Sequence, residues 1–253
     1  MTEGGRGEGA AGPARASFGF RDVAPHEKTR MVGDVFRRVA QRYDLMNDLM
    51  SVGLHRRWKD RFVALVRPRP GEAILDLAGG TGDVALRLAR RGAEVTVVDI
   101  NPAMLAVGRE RARRRGLKLA FVQADAEALP FADAAFSAVT VAFGIRNMTH
   151  IDRALAEARR VLAWGGRFAC LEFSATEWAG FARLYDLYSF HIVPRLGQWV
   201  AGDRAAYRYL VESIRRFPDM DRFAGLLRQA GFAPVRAIPI LGGAVAIHLG
   251  WKT

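Results

Sequence analysis

The 253-residue chain contains one cysteine, four lysines and no long apolar run. With Cys170 alone no intrachain disulfide can form, which fits a reducing cytoplasmic compartment. Within the apolar run RFACLEF that cysteine reads as a small core residue rather than a nucleophile. No stretch of about 18 apolar residues exists, so no segment reads as membrane-spanning. The N-terminal MTEGGRGEGAAGPARASFGFRD lacks the apolar centre of a secretory signal. Its Gly, Ala and Arg content predicts a disordered tail over residues 1–26. The histidines (His26, His55, His150, His191 and His248) are dispersed without ligand spacing, and no metal is expected. Internal repeats are absent.

What the chain has in plenty is arginine. The formal net charge is +12, and lysine contributes only Lys28, Lys59, Lys118 and Lys252. Such a balance suggests nucleic acid, an anionic membrane or an acidic ligand as partner. It is equally compatible with arginine spread over solvated helix faces, since the densest block is RARRR at 111–115.

Apolar residues at helical spacing predict helices over 28–50 and 55–66, the second ended by RPRPG. The pattern then changes to strands alternating with helices. EAILDLAGG, AEVTVVDI, KLAFVQAD, FSAVTVAF and GGRFACLEFS read as buried strands, and Asn101 with Pro102 marks a helix start. FAPVRAIPI and GGAVAIHLGWK form a final pair of strands joined at Leu241-Gly242-Gly243. Continuous apolar strands separated by helices imply an α/β fold: a doubly wound, mostly parallel sheet of seven strands with a C-terminal antiparallel strand. The expected layout is a single domain over 27–253, divided into a helical cap (27–70) over the active site, a cofactor-binding core (71–178), a helical lid (179–230) and a terminal hairpin (231–253).

ILDLAGGTGD fills the first strand-to-helix turn, where glycines admit a ligand to the backbone and a helix N-terminus offers free N–H donors. Gly80-Thr81-Gly82-Asp83-Val84-Ala85 matches the dinucleotide fingerprint G-x-G-x-x-A, and Asp99 ends the next strand as an acceptor for ribose hydroxyls. An NAD-dependent oxidoreductase is therefore one reading. Two further acids favour another: Asp76 precedes the loop, and Asp125 ends the third strand, where a carboxylate can accept an adenine amino group beside the N–H of Ala126. Taken together, the glycine loop, VVDINP and ADAEALPF resemble the class I S-adenosylmethionine-dependent methyltransferases. That resemblance implies S-adenosyl-L-methionine as cofactor. The loop from Ala78 through Gly80 and Thr81 to Gly82 would pass its methionine part, and Asp99 would hold its ribose.

VFRRVAQRYDLMNDLMSVGLHRRWKD, AFGIRNMTHIDRALAEARRVLAWGGRFACLEFS and YSFHIVPRLGQWVAGDRAAYRYLVESIRRFPD are similar to the ubiquinone/menaquinone biosynthesis C-methyltransferases over residues 28 to 252. This implies methylation of a ring carbon on a 2-polyprenyl-6-methoxy-1,4-benzoquinol, a demethylmenaquinol or both. Cofactor positions carried over from the family are Thr81, Asp99 and the pair Asp125-Ala126. Ala142 stands where relatives often have serine, so the hydrogen bond expected there is lost.

Methyl transfer to a ring carbon requires a reduced quinol whose hydroxyl gives up its proton, and a site that holds the ring in line. Arg146 and Asn147 follow the fourth strand on the sheet edge where doubly wound folds bind ligands. A guanidinium is a poor direct base. Arg146 is therefore read as the partner of a developing phenolate or of a water, and Asn147 as orienting a ring oxygen. The plainer alternative is an ion pair from Arg146 to Asp44 or Asp48. Tyr43, one helical turn before Asn47, is a second candidate contact to a quinol oxygen, and Asp60 a candidate proton relay.

WAGFARLYDLYSFHIVPRLGQWV (178–200) suits a lid, a subunit contact or an interfacial segment. With the positive charge it suggests peripheral attachment to the inner face of the cytoplasmic membrane. A homodimer or a quinone-biosynthesis complex is compatible with the same stretch. An RNA methyltransferase is a further reading of the charge. Against nucleic acid as partner, the fourth strand does not end in the Asn-Pro-Pro-aromatic motif of base-modifying methyltransferases.

Overall fold

A computed structural model describes residues 15–174 and 204–253. The expected segment 178–200, and the first half of the expected lid, lie outside the described residues. Alternation along each strand divides the core between the two faces of a seven-stranded sheet. In β3 (Ala73–Leu77), Ile74 joins the cluster that contains Phe62, Val97 and Tyr207, whereas Leu75 and Leu77 join the one that contains Val139, Phe168 and Phe223.

The other strands are β4 (Glu94–Asp99), β5 (Ala120–Gln123), β6 (Phe136–Ala142), β7 (Leu162–Phe173), β8 (Phe232–Ile240) and β9 (Val245–Lys252). Their order is β5-β4-β3-β6-β7-β9-β8. The first five run parallel, and β9 enters antiparallel between β7 and β8. Helices α4 (Asp83–Ala89), α5 (Pro102–Arg114) and α6 (Ile151–Val161) make the parallel crossovers, and α7 (Arg204–Arg216) and α8 (Met220–Gln229) precede the terminal pair. The chain winds outward from β3 to β5 and then returns to β6 on the other side of β3. At the carboxyl ends of β3 and β6 the connections therefore part, which is where such sheets bind ligands.

Two N-terminal segments depart from the expected layout. Residues expected in the tail form a hairpin of β1 (Ala16–Phe18) and β2 (Arg21–Val23). Its Phe18 ring stacks on Tyr209 at 4.2 Å, and the Phe20 N–H donates to Glu212 Oε2 at 3.2 Å. The order comes from α7, almost 200 residues away in the chain, not from the local sequence. The single helix expected over 28–50 is instead α1 (Pro25–Val39), a 3-10 turn (Ala40–Arg42) and α2 (Tyr43–Ser51), followed by α3 (His55–Val66).

Helix α1 is held over the sheet edge by polar contacts. Lys28 is buried, and its Nζ donates to the Met148 carbonyl at 2.6 Å; Thr29 Oγ1 meets Thr149 Oγ1 at 3.0 Å. Replacing Lys28 with Ala removes a charge-assisted hydrogen bond of about 1.5–3 kcal/mol. The expected outcome in hydrogen exchange is about 10- to 100-fold faster opening of α1, with the amides of β3 and β6 unchanged.

Candidate active site

Asp76 and Thr140 face each other across β3 and β6, on the sheet face whose other inward positions are apolar. Thr140 Oγ1 donates to Asp76 Oδ1 at 2.8 Å, and the Ala85 N–H donates to Oδ2 at 3.2 Å. Burial pushes this carboxyl up to about 7 against those two bonds. Asp76 forms part of the floor of a cleft of about 1040 Å³, counting the part open to solvent. Ala78, Gly80 and Thr81 continue the wall, and Ala142 and Phe143 border it from β6. Gly82 stands behind this lining as the residue before α4, with φ +75°.

Asp99, at the end of β4, accepts from the Gly80 N–H through Oδ2 at 2.9 Å and from the Asn101 N–H through Oδ1 at 2.8 Å. Burial raises it to about 6, with both backbone bonds opposing. Each carboxylate oxygen keeps a further lone pair for a ligand hydroxyl. Asn101 caps α5 as expected and also donates from Nδ2 to the Gly33 carbonyl at 3.1 Å, fastening α1 to this end of the cleft. Asp125 and Ala126 form the far rim; Asp125 is exposed and accepts from the Glu127 N–H at 2.9 Å. Thr81 is buried, and its hydroxyl accepts from Arg111 at 3.0 Å. A cleft of this size, floored by glycine backbone and with the two acids Asp99 and Asp125 at one end, offers donors and acceptors of the kind S-adenosylmethionine requires.

The other end of the cleft is built by the chain after β6. Phe143 has φ +58°, and a Cβ on Gly144 would lie 2.7 Å from the Ala78 Cβ, so the two ligand-facing loops meet only because residue 144 is glycine. The structure relocates Arg146. Rather than facing the cleft, its side chain is 2 % exposed and turned into the protein, where Nη1 donates to Glu172 Oε1 at 2.5 Å and to the Phe143 carbonyl at 2.8 Å. Nε reaches Ser213 on α7 at 3.4 Å. The expected partner Asp48 pairs instead with His55 and Arg56, and the Asp44 side chain lies outside what the structure describes. Burial raises the Glu172 carboxyl, with the Arg146 charge opposing.

Asn147 and Tyr43 both line the cleft. The Tyr209 hydroxyl on α7 donates to Asn147 Oδ1 at 3.0 Å. Burial pushes the Tyr43 phenol up to about 12, while the nearby Arg146 charge pulls it down. Asp60 does not belong to this group. It is 67 % exposed, paired with Arg87 at 2.8 Å, and outside the lining. Its neighbour Lys59 takes the inward position: buried, lining the cleft, with Nζ 2.8 Å from Asp83 Oδ2. Burial alone would raise Asp83, but the charges of Lys59 and Arg87 overcome it and hold the carboxyl well below its usual range.

Lys59, Glu172 and Tyr209 were not apparent from motifs. A signal existed for Lys59, which shares the apolar stripe of α3 with Phe62, Val63 and Val66. A signal also existed for Glu172, the one acid in RFACLEF. Glu172→Ala strands the Arg146 guanidinium in the core. It is expected to lower the unfolding free energy by about 3–5 kcal/mol in urea titration. The paired change Arg146→Met with Glu172→Leu should recover most of that loss.

A sequence model of the ubiE/COQ5 methyltransferase family matches residues 23–252. The chain is 62 % identical over 239 residues to the ubiquinone/menaquinone biosynthesis C-methyltransferase UbiE of Zymomonas mobilis, covering 94 % of this chain and 99 % of that protein. It is 53 % identical to the protein of the same name from Brucella anthropi, covering 96 % and 95 %. Among solved structures, a Thermotoga maritima S-adenosylmethionine-dependent methyltransferase superposes with a TM-score of 0.64 at 19 % identity. That match covers 88 % of this chain and all of the other, a likeness of fold. Relatives aligned almost end to end and a match that takes in all seven strands of the sheet lead to one conclusion: the chain belongs to the ubiE/COQ5 methyltransferase family.

Proposed function

We propose that this S-adenosylmethionine-dependent C-methyltransferase acts on a ring carbon of a polyprenylated quinol, a 2-polyprenyl-6-methoxy-1,4-benzoquinol, a demethylmenaquinol or both. Supporting this is a cleft that joins an acid-tipped nucleoside end, Asp99 and Asp125, to a phenol and an amide, Tyr43 and Asn147, in a chain of this family. The dinucleotide reading of the glycine loop gives way to that family membership.

The bound cofactor supplies an electrophilic methyl carbon. The chain's part is to hold the ring and to favour its oxyanion, because a ring carbon becomes nucleophilic when the neighbouring hydroxyl is ionised. With its Oδ1 taken by Tyr209, Asn147 has its NH2 left to donate to a quinol oxygen. Tyr43, whose phenol stays protonated until about pH 12, is a second donor and not a base. Arg146 acts from behind the wall: it fixes the Phe143 carbonyl and sets a positive potential near Tyr43 without touching substrate. Peripheral membrane attachment is part of the same reading, supported by the net charge of +12 and by exposed Leu45 and Val52 on the cap. Among the described residues no helix is long and apolar enough to cross a membrane.

The test is transfer of labelled methyl from S-adenosylmethionine to a reduced quinol analogue, with the oxidised quinone as control. Transfer to the quinol alone is expected; transfer to RNA with none to any quinol would overturn the reading. The quinone profile of a deletion strain, by mass spectrometry, then shows whether a demethylated ubiquinone precursor, demethylmenaquinone or both accumulate. Tyr43→Phe and Asn147→Ala are each expected to lower kcat about 100-fold, the scale for one lost oxyanion donor, with S-adenosylhomocysteine affinity within about twofold. The Asp99 carboxyl, raised to about 6, must be ionised to accept ribose hydroxyls. Cofactor affinity is therefore full above that pH and falls as pH drops through it, about tenfold per unit, measurable by titration calorimetry.

A further inference from the structure

We infer that Lys59 is the residue that receives the carboxylate of the cofactor's amino-acid end, held in position by Asp83. The inference deepens the reading that the cleft takes S-adenosylmethionine, and rests on it. Among the described residues that line the cleft, Lys59 is the one cation, and the other charged groups are Asp76, Asp83, Asp99, Asp125 and Glu127. A ligand carboxylate in such a lining is repelled unless a cation meets it. Lys59 is 4 % exposed and has one hydrogen bond, to Asp83 at 2.8 Å, which leaves two of its three donors for a ligand.

Asp83 does not depend on Lys59 alone for a counter-ion. Arg87 pairs with the same carboxylate from outside the cleft lining. The placement is also right. Asp125 follows β5 and Asp99 ends β4, whereas Lys59 sits 5.8 Å from the Phe143 ring centroid, beyond β6, and within electrostatic reach of Asp76 on β3. A ligand with its nucleoside at Asp99 and Asp125 crosses the sheet edge toward Lys59 with its other end. Finally, a lysine here is a compact point charge in a chain that otherwise uses arginine almost throughout.

Titration calorimetry with S-adenosylhomocysteine and its decarboxylated analogue, S-adenosyl-3-thiopropylamine, tests this, because the two differ only in the carboxylate. The wild-type chain is expected to prefer S-adenosylhomocysteine by about 10- to 100-fold, the range for one charge-assisted contact. Lys59→Gln should abolish that preference while leaving the analogue within about threefold of its wild-type affinity, which also shows that the cleft is folded. No preference in the wild type, or a preference that survives in Lys59→Gln, would overturn the assignment. Should Lys59→Gln fail to fold, Lys59→Gln with Asp83→Asn removes the cation and its anchor together. Loss of the preference in that pair supports the assignment and retention overturns it. If the wild type binds neither ligand, the cofactor reading itself has failed.

Discussion

Arg146 and Glu172 form an ion pair enclosed by the protein, and the geometry of the Tyr43–Asn147 end of the cleft follows from their need for each other. Glu172 lies on β7 and Arg146 one turn past β6, so their contact fixes how the chain leaves the sheet edge. The same guanidinium binds the Phe143 carbonyl and Ser213 of α7, while the next residue, Asn147, accepts from Tyr209 of that helix. A buried ion pair of this kind adds little net stability over an apolar pair, but it is unforgiving of any other arrangement. What it supplies here is a single position for the loop that carries Phe143, Gly144 and Asn147 to the cleft.

The sheet was legible because its strands are continuous apolar runs ended by glycine or acid, a pattern that a parallel sheet covered on both faces requires. For the same reason Asp76, Asp99 and Asp125 could be assigned to strand ends, and all three line the cleft. The hairpin at residues 16–23 was not legible: three-residue strands carry no period, and their order comes from Tyr209 and Glu212. Nor was the break at Ala40–Arg42, since apolar spacing continues across it.

At the site, the errors are of phase and of partner. Asp60 and Lys59 are adjacent in sequence but about 100° apart around α3, and the inward one is the base, not the acid. Arg146 looked misplaced at the mouth of an apolar strand because its counter-ion is 26 residues away, on a strand that only the β6–β7 register brings alongside. Motifs report what a ligand demands of the chain; the partners that hold those residues in place leave no motif.

The cleft's lining has one more consequence. The protein as a whole is strongly cationic, yet the described lining sets five carboxyl groups against Lys59 alone. Such an interior ranks occupants by charge: of two ligands with the same shape, it holds the one with an extra positive charge more firmly. A sulfonium that gives up its methyl group becomes a neutral thioether, so turnover itself weakens the grip on what remains. On the proposed assignment of Asp99 and Asp125 to the cofactor, the acids of this lining would favour the exchange of spent for fresh.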